Sequence, residues 1–154
     1  PAHSVVPSGC RATYERRLIP GDTEQDLAEE LETACARASA DDVEVHLAKT
    51  DYTTYTGVSW EIPKWFSPWE LPEEHELVQK ALAALGSIGQ TPGLRSYQFC
   101  TNAAYSAGCA RVPTIGYGPS REDQAHIIDE YVEIERLLDA SSGYQAIAKM
   151  ILSI

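Results

Sequence analysis

The stretch PTIGYGPSREDQAHIIDE, residues 113–130, decides how this chain is read. Val112, Thr114 and Ile115 are strand formers, with Pro113 suited to a sheet edge. The strand they predict runs straight into Gly116-Tyr117-Gly118-Pro119-Ser120, a loop too rich in glycine to continue it. Such loops let backbone N–H groups come close to a ligand. His126 follows in a loop ahead of a helix. In α/β sheets, ligands bind outside the carboxyl ends of strands, and a neutral imidazole there suits a metal ion. On spacing alone, the ordinary reading of His126 is a cap or surface residue, and the ligand signal is weak. Asp129 and Glu130 are placed to orient it or to cap the next helix.

Outward from this segment, apolar spacing predicts the elements. Upstream, Pro72-Glu73-Glu74 opens a helix with acids at its positive end, its apolar positions are Leu77, Val78, Ala81, Leu82 and Leu85, and Gly86 ends it. A turn at Thr91-Pro92-Gly93 leads to a strand near 97–100, and the small residues 102–110 suit a short helix. Downstream, a helix over 131–152 carries Val132, Ile134, Leu137, Leu138, Ile147 and Ile151 inside, with a break at Gly143. Residues 73–154 therefore read α-β-α-β-α.

The first part reads β-α-β. Cys10, Ala12, Tyr14 and Leu18 alternate with polar neighbours, and only Arg16 interrupts the apolar face. Pro20-Gly21 turns the chain, and Asp22 or Thr23 caps a helix over 23–39 whose apolar stripe is Leu27, Leu31, Ala34 and Ala38. Asp41-Asp42 breaks it. Val43, Val45 and Leu47 form a second strand, which the β-rich 52–56 extends or follows. Between the halves, 58–72 holds all three tryptophans (Trp60, Trp65, Trp69) with Phe66, Pro63, Pro68 and Pro72. It reads as a linker whose aromatics pack on a neighbour or line a site. The organisation is thus 1–57, a linker 58–72, and 73–154.

Composition bounds the function. The 154 residues carry a net charge of -11, which repels phosphate backbones and argues against nucleic acid. No apolar run reaches the ~18 residues of a membrane span, so no membrane partner is expected. The start, Pro1-Ala2-His3-Ser4, shows neither the basic cluster nor the apolar core of a signal peptide. Cys10, Cys35, Cys100 and Cys109 make no C-x-x-C pair and read as reduced, mostly buried residues of a cytoplasmic protein.

Several of these features together resemble one family. Thr101-Asn102 with its small-residue run, Val112–Pro119, Ala125-His126-Ile127-Ile128-Asp129-Glu130 and a long last helix are similar to the C-terminal end of zinc-dependent metallohydrolases of the aminoacylase/carboxypeptidase type. Acetylornithine deacetylase and succinyl-diaminopimelate desuccinylase belong to this family. The resemblance is closest to its branch of selenium-metabolism hydrolases. The stretch 5–23, with Glu15-Arg16-Arg17, resembles the middle of that family's lid or dimerisation domain.

The resemblance implies an α/β chain. A partial ferredoxin-like lid (β-α-β) is followed by the C-terminal α-β-α-β-α part of a zinc-peptidase-like catalytic domain. It implies a fragment of a dinuclear zinc amidohydrolase or peptidase, in which metal-bound hydroxide attacks an amide or peptide bond of a small substrate. His126 matches the family's last metal ligand. Asn102, Gly116, Gly118 and Pro119 match positions beside the substrate, and Glu130 matches an acid behind the ligand. His3 matches, weakly, a lid histidine that reaches a partner's active site. Arg16 and Arg17 match an arginine pair with a structural, ion-pairing role.

The departures are as informative. The family's His-x-Asp is absent, and Glu29-Glu30 and Glu73-Glu74 sit on predicted helices as ordinary solvated acids. His46 and His75 read as surface or packing residues. No catalytic residue is therefore assigned, and one of the ligands for two zinc ions is visible, where a catalytic zinc normally takes about three from protein. The expected partners are an N-terminal catalytic part and a second copy through the lid. The lone chain is expected to be inactive. The alternative function is a non-enzymatic dimerisation or interaction module.

Overall fold

In the computed structural model, residues 6, 8–40 and 42–153 are described. His3 lies outside them. The chain divides into Pro1–Trp65 and Phe66–Ile154. Both helix and strand are present: helix α1 (Glu24–Arg37), strands β1 (Lys49–Thr53) and β2 (Ser59–Pro63), and helices α2 (Glu76–Ser87) and α3 (Ile134–Leu152).

Helix α1 begins where its capping signals place it. Thr23 Oγ1 accepts the amide of Asp26 at 3.1 Å and donates to the Asp26 carboxylate at 2.6 Å. The helix ends before Asp42. Ser39 takes a left-handed φ of 56°, and the Ser39 and Ala40 amides bond back to Ala36 and Cys35. Arg16 pairs with Glu30 and Arg17 with Glu15. Both pairs are exposed, so each adds little stability.

The expected β-α-β is corrected. Among the described residues, 10–18 form no strand, and 43–47 precede the sheet instead of joining it. The sheet is an antiparallel hairpin, β1 against β2, with Tyr52 opposite Trp60. Their rings lie 5.2 Å apart, and Thr53 and Ser59 share a hydroxyl hydrogen bond of 2.7 Å. The turn begins inside the β-rich 52–56 and runs past it, because Gly57 (φ 86°) reverses the chain and donates to the Thr54 carbonyl. Trp60 is thus a strand residue. Lys49 Nζ donates to Glu61 at 2.7 Å, which holds the lysine above its ordinary pKa.

In Phe66–Ile154 the expected strands at 97–100 and 112–115 are also absent among the described residues. A strand needs a neighbour for its backbone groups, and neither segment pairs with another. Residues 104–109 do wind, as a π-helical turn. Helix α2 starts at Glu76, later than Pro72, and His75 caps it: its Nδ1 accepts the Leu77 amide at 3.1 Å. It also runs through Gly86. Its stop is Gly89, left-handed at φ 81°, with Gly89 bonding back to Gly86 and Gln90 to Leu85.

The core lies between α2 and α3. Ala81, Ala84 and Leu85 meet Ile147, with Ile115, Tyr117 and Ala146 packed around them. Burying a side chain the size of Leu85 or Ile147 is worth about 1.5–3 kcal/mol. The last helix starts at Ile134, after Val132, and of the six residues expected inside it only Ile147 is buried. Ile134, Leu137 and Leu138 are exposed, because the buried stripe is Ala140, Gly143 and Ile147. The cysteines are free as expected, but Cys10, Cys100 and Cys109 are exposed instead of buried. No helix among the described residues is long and apolar enough to cross a membrane.

Gly143 does not break α3; it makes room. A Cβ there would overlap the Tyr117 phenol, whereas a Cβ on Gly86 would meet open space. Gly143→Ala is expected to destabilise the chain by about 1–3 kcal/mol, through forced displacement of Tyr117. Gly86→Ala is expected to stabilise it by about 0.5–1 kcal/mol. Urea unfolding followed by circular dichroism would measure both.

Candidate functional site

The loop after residue 112 is held by side chains. Tyr117 Oη donates to Gln90 Oε1 at 2.7 Å, and Gln90 Nε2 donates to the Asp139 carbonyl at 2.9 Å. Tyr144 Oη donates to the Tyr117 carbonyl, and the two rings meet edge to face at 5.2 Å. Tyr117 is therefore fixed at its phenol, its ring and its backbone. Gly116 is required by the same packing, since a Cβ there would overlap the Tyr97 ring.

These residues border a cleft of about 410 Å³, lined by Trp69, Tyr97, Thr101, Ile115, Gly116 and Tyr144 among others. Its size suits a small ligand. Thr101 Oγ1 accepts the Ala103 amide at 3.1 Å, leaving its own proton free to point elsewhere. Tyr97 stacks on Phe99 at 4.9 Å. Burial pushes the Tyr97 phenol above its ordinary value, with smaller contributions from Tyr144 and from the Glu122 carboxylate.

Of the residues picked from the sequence, Gly116 lines the cleft. Gly118 lies nearby, where an added Cβ would stand 3.7 Å from Tyr144 Oη. Pro119 is half-buried in the same loop. Asn102 is exposed, and its carbonyl accepts the amides of Tyr105 and Ser106. It serves the π-helical turn, while its neighbours Thr101 and Ala103 face the cleft. Trp69, one of the aromatics of 58–72 expected to pack or to line a site, does line the cleft; the sequence pattern missed Tyr97, Tyr144 and Gln90. One local signal was present: Tyr117 stands between two glycines, the arrangement of a ring that must pack closely on both sides.

His126 lies in a separate, strained loop. A 3₁₀ turn, Glu122–Gln124, precedes it. His126 and Asp129 both take left-handed backbone, at φ 63° and 62°. For residues other than glycine, each such conformation costs on the order of 1–3 kcal/mol. The His126 amide donates to the Glu130 carboxylate at 2.9 Å, so Glu130 closes the loop and caps no helix. Gln124 Oε1 is buried without a hydrogen-bond partner. The His126 residue is exposed. Among the described residues, no three His, Cys, Asp or Glu side chains converge to hold a metal ion. These residues therefore do not by themselves fit a zinc centre, mononuclear or dinuclear.

Comparisons with known proteins add one relationship. The chain is 28% identical over 148 residues to the uncharacterized protein YgeY of Escherichia coli K12, and equally to its counterpart in strain O157:H7. The match covers 96% of this chain and 36% of YgeY, so the chain spans about a third of the relative's length. No family model matches the chain. No solved structure matches it.

The raised phenol gives a test of the cleft. Tyr97 binds its proton more tightly in the folded chain than in the unfolded one. Its contribution to stability is complete below the unfolded tyrosine value near ~10 and is lost as pH rises through the higher folded value. Ultraviolet difference titration of wild type against Tyr97→Phe should show one phenol ionising late. Glu122→Gln should bring that ionisation to lower pH. Unchanged titration in Glu122→Gln would separate the carboxylate from the ring.

Proposed function

We propose that the chain is the C-terminal part of a metal-dependent amide hydrolase of the deacylase or peptidase type. In this proposal 1–57 belongs to the lid and 73–154 to the catalytic domain. Gly116, Gly118 and Pro119 border the substrate, and His126 is one metal ligand. The observation that carries it is the 122–130 loop. Two left-handed residues other than glycine are tolerated there, and strain of this kind gathers at functional sites. The order of the motifs supports it, as does a relative of much greater length.

Since the described residues do not complete a metal centre, the proposal takes the other ligands and the general base from outside the described residues. The loop's own contribution is to present an imidazole whose backbone is fixed by Glu130. Zinc titration by calorimetry tests this on the chain as it stands. Wild type is expected to bind zinc weakly, His126→Ala more weakly still, and neither to hydrolyse an N-acyl amino acid. Equal binding by His126→Ala would remove the ligand role. Tight stoichiometric zinc with turnover would overturn the need for outside groups.

A second reading, an association module, draws on exposed apolar surface. On α3, Ile134, Leu138 and Leu152 are 76%, 63% and 64% exposed, and α1 has no buried residue. Light scattering behind size exclusion should then show mass rising with concentration. A strict monomer up to high micromolar concentration would count against it.

A further inference from the structure

The walls of the cleft beside Gly116 limit what can enter it. No carboxylate, amine, guanidinium or imidazole lines the cleft. An ion leaving water for it would lose hydration and gain no opposite charge. Apolar contact comes from Trp69, Ile115 and Ile147. Such contact is non-directional, so it is the same whether a ring offers its edge or its face. The polar groups are few, and two are already spent. Tyr117 Oη donates to Gln90, and Tyr144 Oη donates to the Tyr117 carbonyl. Two hydroxyl protons remain. Thr101 Oγ1 accepts the Ala103 amide and keeps its own proton. The phenol end of Tyr97 lies against Gly116, and its hydroxyl has no hydrogen-bond partner among the described residues. Tyr97 is 45% exposed, so the ring is not sealed inside the chain. Apolar walls with a few uncommitted polar groups, around about 410 Å³, are the usual form of a small-molecule site.

We propose that the cleft walled by Trp69, Ile115 and Ile147 binds a small, uncharged, largely apolar molecule bearing an oxygen acceptor, with the free hydroxyls of Thr101 and Tyr97 as the donors to that oxygen. The site lies wholly within Phe66–Ile154 and does not rest on the hydrolase reading.

Benzyl alcohol is a suitable probe, with three relatives of similar size. Toluene lacks the oxygen, while benzoate and benzylammonium carry a charge in its place. Each would be titrated into the ¹⁵N-labelled 154-residue chain, following amide shifts by NMR. Benzyl alcohol is expected to give saturable shifts centred on Thr101, Gly116 and Tyr117. Both charged relatives should bind at least about fivefold more weakly. In Thr101→Val or Tyr97→Phe, the affinity for benzyl alcohol relative to toluene should fall about threefold, the worth of one hydrogen bond. That ratio is taken within one variant, so partial loss of folded chain does not alter it. Thr101→Val also removes the acceptor of the Ala103 amide, and Tyr97→Phe gives the reading free of that loss. Shifts that do not saturate, a charged relative that binds as tightly as benzyl alcohol, or a ratio unchanged in both variants would each overturn the assignment.

Discussion

The carboxamide of Gln90 joins three pieces of chain that no helix ladder or sheet connects. Its oxygen takes the Tyr117 phenol and its nitrogen reaches the Asp139 carbonyl on α3. Its own position is set one residue earlier. Gly89 adopts a backbone open to glycine, which ends α2 and returns the Gln90 amide to Leu85. A covalent detail, the missing Cβ of Gly89, thereby fixes a side chain. That side chain fixes a tyrosine, and the tyrosine orders a loop. Gly143 completes the sequence by leaving space on α3 for the same ring. The cleft is a by-product of this bracing, since its walls are the rings that the bracing holds.

The helices were legible because their information is local. Thr23 and Asp26, or the spacing of Val78, Ala81 and Leu85, need nothing from elsewhere in the chain. The strands were not. Val112–Ile115 has strand-forming residues, but a strand is defined by a partner's backbone, and no local pattern supplies one. The hairpin shows the converse. It formed in a segment read partly as linker, because Gly57 set a tight reversal and put Tyr52 opposite Trp60.

The candidate site was legible in the same uneven way. Gly116 was visible as a glycine that something must approach, but the approaching ring, Tyr97, lies nineteen residues earlier and carries no signature. The glycine loop and the His126 loop are adjacent in sequence, yet their physics differs. The first is held by aromatic packing and by hydrogen bonds with Gln90 and with Tyr144 on α3. The second is held by one carboxylate and keeps an expensive backbone. Similarity to YgeY leaves the two loops in one matched segment without saying what either does.

The hairpin has a consequence for how the chain behaves at high concentration. A two-stranded sheet has two free edges, each able to recruit another molecule's strand. Here the edges carry Lys49 and Asp51 on one strand and Glu61 on the other, and Pro63 closes the second strand without an amide to donate. Charge must be desolvated before either edge can pair, and the proline removes a rung from the ladder. A segment rich in threonine and aromatics would otherwise favour fibrillar stacking. Its few charged residues and one ring-locked nitrogen protect it from that fate.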